Sequence, residues 1–260
     1  MLVFSAIVAH PPVSVPGIGK KGDFDLIKKT IDSYTALRKS LELARPDTVI
    51  IISPHAYMQP YSFVINSQSE LVGTFANFGL DEDLSFENDI ELSDQINYAC
   101  QVAEMPSYLH GSFLDHGALI PLFHLLQNIK PKVVHLSFSL MDYESHFRYG
   151  QLINNVIDRD KNKRIAVIAS GDLSHRLEKD SPAGFFKDAH SFDQRIIYYL
   201  GKNDITSLIG VHEELAIESA ECGIRSIMIL MGILHGLRYE FKLLSYESPF
   251  GVGYLMARLL

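Results

Sequence analysis

Cysteine is scarce in this chain: Cys100 and Cys222 are the only two among 260 residues. They lie far apart and form no CxxC pair, so the sequence supports neither a disulfide framework nor a zinc site built from paired thiolates. We therefore expect a reduced, intracellular protein.

A concentration of positive charge is also lacking. The formal net charge is −8 at pH 7, and no long run of lysine and arginine occurs. This balance argues against nucleic acid or an anionic membrane as the main partner, because both require a basic surface. A small-molecule partner is the expectation that remains.

Long hydrophobic runs are missing too. The best candidate for a membrane span, residues 227–234, is interrupted at Gly232 and is too short to cross a bilayer. The apolar stretch at the start of the chain is short, has no basic residues before it and runs directly into His10, which is typical of a core strand rather than a signal peptide. We expect a cytoplasmic protein.

What the chain does contain is an alternation of strand-like and helix-like segments. An apolar content of 47% with 21% charged residues fits a globular protein with a full core, which we interpret as one domain, residues 1–260. Near-continuous Val/Ile runs separated by amphipathic segments predict a three-layer α/β/α sandwich with a mostly parallel sheet. Strands are expected at 2–9, 48–53, 132–138 and 164–169, and helices at 24–44, 90–104, 117–129, 143–160, 189–200, 204–210 and 213–235, the last broken near Cys222.

Antiparallel additions are expected at two places, so the sheet should be mixed. Residues 62–67 and 71–75 predict a short hairpin, and the runs 240–246 and 252–258 flank Pro249 and Gly251. The apolar C-terminal runs would also allow a homo-oligomer. Two long stretches, 76–88 and 176–187, have no predicted element, and the second follows a candidate site residue closely enough to close over a substrate.

Three histidines follow strand-like runs. His10 follows LVFSAIVA, His55 follows TVIIISP and His175 follows IAVIASGDLS. Because the carboxyl ends of strands in an open α/β sheet meet at one crevice, these imidazoles predict a metal site or an acid–base site. Prolines beside His10 and His55 fix the local backbone, which favours these two as metal ligands, and His175 is the candidate general acid or base.

A fourth histidine, His116, is expected in the first turn of a helix that Asp115 would cap. The positive end of the helix dipole disfavours a charged imidazole there, so a neutral ring is expected to contact the substrate. The remaining histidines, among them His135 inside a strand, are interpreted as structural or exposed.

The third metal ligand is left open by the residues. Glu221 and Cys222 are neighbours beside the expected helix break. Two neutral imidazoles with one carboxylate is the arrangement of non-heme Fe(II) sites, whereas a thiolate favours a softer metal. An ordinary surface pair of Glu221 with Arg225 would explain the glutamate equally well.

Six segments occur in a fixed order across nearly the whole chain: AHPP, SPHA, DHGALIPL, SGDLSH, ECGIRS and SYESPFGVGY. As an ordered set they resemble the catalytic subunits of class III extradiol ring-cleavage dioxygenases, the LigB-like superfamily, and in particular the dioxygenase-like and Memo-like proteins of the AmmeMemoRadiSam group. The resemblance implies a phosphorylase/hydrolase-like α/β/α fold.

The same resemblance implies roles for individual residues. His10 and His55 match the iron-binding histidines, His175 matches the acid–base histidine, and His116 matches a second active-site histidine that helps to hold substrate and oxygen. The dioxygenases place a glutamate in the region of Glu221, and the Memo-like proteins place a cysteine beside glycine, as at Cys222.

The leading hypothesis is a non-heme Fe(II)-dependent extradiol-type dioxygenase that takes a catecholic or related aromatic molecule and dioxygen. His10, His55 and Glu221 are the expected metal ligands of this enzyme, with Cys222 as the alternative third ligand. The first alternative is a Memo-like protein that binds copper or another metal without cleaving rings. The second alternative is a zinc-dependent hydrolase on the same fold, which is weakened by the lack of an obvious set of bridging Asp and Glu residues.

Overall fold

The computed structural model describes all 260 residues. Its main sheet has eight strands in the order β6-β3-β7-β2-β8-β1-β10-β9, and β4 and β5 form a separate antiparallel pair. The strands are β1 (Leu2–Val8), β2 (Thr48–Ser53), β3 (Phe63–Asn66), β4 (Glu70–Thr74), β5 (Asp83–Glu87), β6 (Ser107–His110), β7 (Lys132–Ser137), β8 (Ile165–Ser170), β9 (Lys242–Glu247) and β10 (Tyr254–Arg258).

Nine α-helices connect and cover these strands, and none of them reaches the length and hydrophobicity that crossing a membrane requires. They are α1 (Asp23–Leu26), α2 (Lys28–Ala44), α3 (Ile90–Val102), α4 (His116–Leu125), α5 (Tyr143–Arg159), α6 (Ala189–Lys202), α7 (Ile205–Ile209), α8 (Glu213–Ser219) and α9 (Ile224–Ile233).

The four central strands, β7, β2, β8 and β1, run parallel. Both faces of this part of the sheet are covered, which explains the unbroken apolar runs: in β2, Val49 and Ile51 pack toward α2 and α4, while Ile50 and Ile52 pack toward α5 and α9. The antiparallel pairings lie outside the centre, between β3 and β7 and among β1, β10 and β9. The predicted three-layer sandwich with a mixed sheet is confirmed.

The predicted hairpin of 62–67 with 71–75 is wrong. The first segment forms β3, which joins the main sheet between β6 and β7, and the second forms β4, which pairs with β5 instead. Strand β5 lies inside the acidic stretch 76–88, where the sequence predicted no element. Its residues alternate between exposed and half-buried, so only a weak two-residue pattern marked it.

Two predicted helices are divided in the structure. The segment 24–44 breaks at Ile27 into α1 and α2, and the segment 213–235 breaks at 220–223 into α8 and α9, the second break being the predicted one. The stretch 176–187 contains neither helix nor strand, as predicted. It therefore lies beside the carboxyl end of β8 as an irregular loop.

Candidate metal centre

Three imidazoles meet at the carboxyl edge of the sheet. His10 follows β1, His55 follows β2, and His116 is the first residue of α4. One nitrogen of each ring lies within 4.8 Å of the corresponding nitrogens of the other two. His10 is buried, His116 is half-buried and His55 is exposed, so the cluster extends from the interior to the surface. The structure brings together three of the four histidines that the sequence singled out at strand and helix ends.

The hydrogen bonds of His10 direct a lone pair into the cluster. Its Nδ1 lies 2.9 Å from the Ser170 hydroxyl, which donates its own proton to the Gly117 carbonyl at 2.5 Å. The hydroxyl must therefore accept from Nδ1–H, which leaves Nε2 without a proton. That Nε2 lies 3.1 Å from Nε2 of His55. Fixing the free nitrogen through the opposite ring nitrogen is how protein environments prepare metal-ligating histidines.

The imidazoles are held uncharged by their surroundings. Burial and the neighbouring His116 lower the pKa of His10 to about 3. Desolvation and the rings of His10 and His116 lower the pKa of His55 to about 4, and burial lowers the pKa of His116 as well. Neutral rings with converging lone pairs are the form that binds a divalent cation, so the residues present fit a metal ion.

Carboxylates lie around the cluster. Asp172, in the turn after β8, accepts from the backbone N–H of His10 at 2.9 Å and places its second oxygen 3.9 Å from His10 Nε2. Asp115 caps α4 as predicted, accepting from the N–H groups of Gly117 and Ala118. Burial would raise the pKa of Asp115, but hydrogen bonds from His135 and Ser53 outweigh it and hold that pKa well below its usual range.

Glu221 does not join the imidazoles, although the sequence favoured it as the third ligand. Its carboxylate accepts from the backbone N–H of Ile224 at 2.7 Å and so satisfies the first turn of α9. Burial raises the pKa of this carboxyl to about 7. This position of Glu221 has a simple cause, since the first free N–H groups of a helix that begins at residue 224 attract a glutamate three residues earlier.

Cys222 lies beside the cluster instead. Its Sγ is 3.8 Å from His10 Nε2, and it accepts from the backbone N–H of Asp172 at 3.2 Å. A Cβ on Gly171 would lie 2.1 Å from Cα of Gly223, so only glycine allows these two turns to approach this closely. Burial and the Asp172 carboxylate raise the pKa of the thiol, which means that thiolate formation here requires a nearby cation. Metal ligation by Cys222 or by Glu221 stays a prediction.

His175 lies in the same group of turns. Its Nδ1–H donates to the Leu173 carbonyl at 3.0 Å, which leaves Nε2 free to accept a proton, and charge on His175 disfavours charge on His10. The turn is fixed by Asp193, whose carboxylate accepts from the Ser174 backbone N–H at 3.0 Å and from the Tyr246 hydroxyl at 2.6 Å. An acid–base role for His175 stays a prediction.

Sequence reasoning missed two features of this centre. The first is Asp172, although its position three residues before His175 was a signal that the two residues share the same turn. The partnership of Asp115 with His135 had no local signal, because the two residues come from a helix start and from the interior of β7.

Comparison with known proteins identifies the family. The family model for the catalytic LigB subunit of aromatic ring-opening dioxygenases matches residues 5–257. The chain therefore belongs to this family. The four histidines singled out above all lie within the matched range.

Two relatives illustrate the breadth of the family. Protein CA_C1420 of Clostridium acetobutylicum is 30% identical over 266 aligned positions, which cover 97% of this chain and 56% of that protein, so the chain spans about half the relative's length. A 3,4-dihydroxyphenylacetate 2,3-dioxygenase of Escherichia coli is 21% identical over 241 positions, covering 85% of each chain.

A MEMO1 family protein and a solved structure complete the comparison. The MEMO1 family protein, from Methanococcus vannielii, is 25% identical over 175 positions, covering 63% of this chain and 56% of that protein. The crystal structure of the uncharacterized protein JW3007 from Escherichia coli K12 has a TM-score of 0.71, covers 99% of this chain and all of its own, and is 17% identical. The structural similarity shows a shared fold.

Proposed function

We propose that this protein is a non-heme Fe(II)-dependent dioxygenase of the extradiol type, acting on a catecholic or related aromatic small molecule with dioxygen. The observation that carries the proposal is the convergence of His10, His55 and His116 nitrogens within 4.8 Å at the carboxyl edge of the sheet. Membership of the LigB family supports it. Iron held by His10 and His55, with His116 beside it, would supply Lewis-acid activation of two adjacent hydroxyls and electron transfer to dioxygen.

In this mechanism the chain's own residues handle the proton. His175 accepts a hydroxyl proton at Nε2, since its Nδ1–H is engaged with the Leu173 carbonyl. The same nitrogen later returns the proton to the reacting oxygen, the dual role of a positioned acid–base group. His116, half-buried between His10 and the surface, orients the substrate as it binds.

The test is anaerobic loading with Fe(II), followed by air and a panel of catechols, with the coloured ring-opened product followed by absorbance. We expect turnover by the wild type and loss of turnover in His175→Ala with substrate binding retained. His190→Ala, an exposed histidine on α6, is the matched control and should keep full activity. No turnover of any catechol by the iron-loaded wild type would contradict the proposal.

A Memo-like metal-binding function without ring cleavage is the second candidate. It is favoured by one observation: Cys222, and not Glu221, lies beside His10 Nε2. If the thiol is a ligand, Cys222→Ala should release copper or zinc that the wild type retains, while Glu221→Gln should retain it. The opposite pattern would favour a carboxylate ligand and the iron dioxygenase.

A further inference from the structure

We propose that the buried pair formed by His135 and Asp115 is the positioning unit that holds the three imidazoles in metal-binding geometry. His135 lies inside β7, is 1% exposed and touches none of the three rings' candidate ligand nitrogens in a hydrogen bond. The inference rests on the proposed metal site but not on the proposed ring cleavage.

Asp115 joins two of the ligand-bearing segments. Its Oδ1 accepts from the Ser53 hydroxyl at 2.5 Å and from the backbone N–H groups of Gly117 and Ala118 at 2.8 and 3.3 Å. Ser53 lies two residues before His55, and Asp115 directly precedes His116. One carboxylate oxygen therefore holds the end of β2 against the start of α4.

The other oxygen of this carboxylate depends on His135. Asp115 Oδ2 lies 3.1 Å from His135 Nε2, and the Asp115 side chain is 10% exposed. Without His135, this oxygen would face the interior with no partner, which is costly for a buried carboxylate. The orientation of Asp115 is thus set from within the sheet.

Asn66 fixes which nitrogen of His135 carries the proton. The side-chain oxygen of Asn66, Oδ1, accepts from the backbone N–H groups of Gln68 and Ser112. The side-chain nitrogen, Nδ2, is therefore the atom 3.2 Å from His135 Nδ1. An amide nitrogen only donates, so Nδ1 must accept and Nε2–H must donate to Asp115. Asn66 therefore donates to His135, and His135 donates to Asp115.

His10 is connected to the same helix turn. Its Nδ1 donates to Ser170, whose hydroxyl donates to the carbonyl of Gly117, the second residue of α4. A Cβ on Gly117 would lie 2.6 Å from the Ser53 Oγ, so only glycine allows this turn to approach the end of β2 so closely. All three ring-bearing segments therefore meet at the first turn of α4, and His135 holds that turn through Asp115.

The experiment is titration of metal-free protein with Co(II), followed by its d–d absorption, and with Zn(II), followed by calorimetry. His135→Leu fills the space without a donor, and we expect its affinity for both ions to fall about 10- to 100-fold with an altered Co(II) spectrum, as for other lost outer partners of metal ligands. His135→Gln, whose amide can accept from Asn66 and donate to Asp115, should restore affinity to within about 3-fold of wild type.

His124→Leu is the matched control, because His124 is a buried histidine of α4, the helix that Asp115 caps, and its Nε2 contacts Ser14 and not Asp115. Its metal affinity should equal that of wild type. If His135→Leu does not fold, Asp115→Asn supplies the test. Its amide NH2 would face the Nε2–H donor of His135, so this hydrogen bond would be lost and the affinity for both ions should fall.

Wild-type affinity and an unchanged Co(II) spectrum in either His135→Leu or Asp115→Asn would overturn the inference. Equal losses in His135→Leu and His124→Leu would also overturn it, because they would reflect general loosening of α4. Wild-type protein that takes up neither ion would overturn the metal site together with this inference. Metal uptake without catechol turnover would contradict only the proposed dioxygenase activity and would leave the inference standing.

Discussion

The two ends of the central strands hold ionisable side chains in opposite charge states. At the amino end, where β2, β7 and β8 begin beside a cleft of about 930 Å³, the Asp89 carboxylate is 3% exposed and accepts from Lys163 at 2.6 Å and from Thr48 at 2.5 Å. At the carboxyl end, His10, His55 and His116 converge uncharged.

The difference shows where a ligand is needed. Two ion pairs that line the cleft at the amino end, Lys132 with Glu87 and Lys163 with Asp89, are already formed within the chain, so the size of the cleft alone does not indicate a site. In the cluster at the carboxyl end, the imidazole nitrogens that could ligate a metal face one another, and one bound cation would accept the lone pairs of all of them. The two ends are therefore distinguished by whether their polar side chains already have partners, and not by cavity size.

The largest expected effect is the loss of metal binding at the carboxyl end. His55→Ala removes an exposed ring, so folding should be unaffected while Zn(II) affinity falls by more than about 100-fold, beyond the loss typical of an outer hydrogen-bond partner. Calorimetric titration of metal-free protein measures this effect. Asp89→Asn, at the other end, should bind Zn(II) as wild type does, and equal losses in the two variants would remove the contrast between the ends.

The next effect is on stability at the amino end. Lys163→Met leaves Asp89 buried without its cation, and we expect the free energy of unfolding to fall by about 3 kcal/mol, since removing one member of a buried ion pair exposes the cost of burying the other. Urea denaturation at pH 7 measures it. Zn(II) affinity should change less than 2-fold, and a stability within experimental error of wild type would show that the pair is not effectively buried.

A smaller effect is expected in the pH dependence of stability. Asp193 is fully buried with Tyr246 and Ser174 as partners but no cation, and burial raises its pKa to about 7, whereas hydrogen bonds from Lys163 and Thr48 outweigh burial and lower the pKa of Asp89. The folded protein keeps the Asp193 proton up to about pH 7, while the unfolded chain releases it near pH 4. This contribution to stability is therefore complete below about pH 4 and is lost as the pH rises through 7.

Asp193→Asn should remove part of that pH dependence. We expect the loss of unfolding free energy between pH 5 and pH 8 to shrink by roughly 1 to 3 kcal/mol relative to wild type, because one pKa unit corresponds to about 1.4 kcal/mol. Urea denaturation of chelator-treated protein at the two pH values measures the difference. A variant whose stability declines as steeply as that of wild type would assign the decline to other groups, of which the Glu221 carboxyl is the first candidate.

The sequence correctly predicted those features of the molecule that depend on short-range patterns. Unbroken Val/Ile runs identified the four central strands, and a histidine placed just after a strand or at a helix start is brought to the carboxyl edge by the parallel arrangement itself. His10, His55 and His116 could therefore be grouped from their positions in the sequence alone. Capping of α4 by Asp115 was likewise local.

The remainder depends on contacts between distant segments. β3 has four residues, and whether it pairs with its neighbour β4 or enters the main sheet is decided by β6 and β7, far along the chain. Which of Glu221 and Cys222 points at His10 depends on where α9 begins, because the glutamate three residues before the first residue of α9 accepts from the free N–H of Ile224. His135 could not be linked to Asp115, since a strand interior gives no sign of which helix start lies above it.

The smallest expected effect sets the scale for the others. Lys28 and Asp32 form an i,i+4 pair 3.0 Å apart on α2 with side chains 73% and 65% exposed. Because water screens exposed pairs, Lys28→Ala should change the free energy of unfolding by no more than about 0.5 kcal/mol, against about 3 kcal/mol for Lys163→Met. Urea denaturation of both variants under one set of conditions measures the ratio, and raising the salt concentration should abolish the smaller effect while preserving most of the larger. Similar values for the two lysines would mean that burial does not distinguish the amino-end pair, and the contrast with the uncharged cluster at the carboxyl end would then rest on the imidazoles alone.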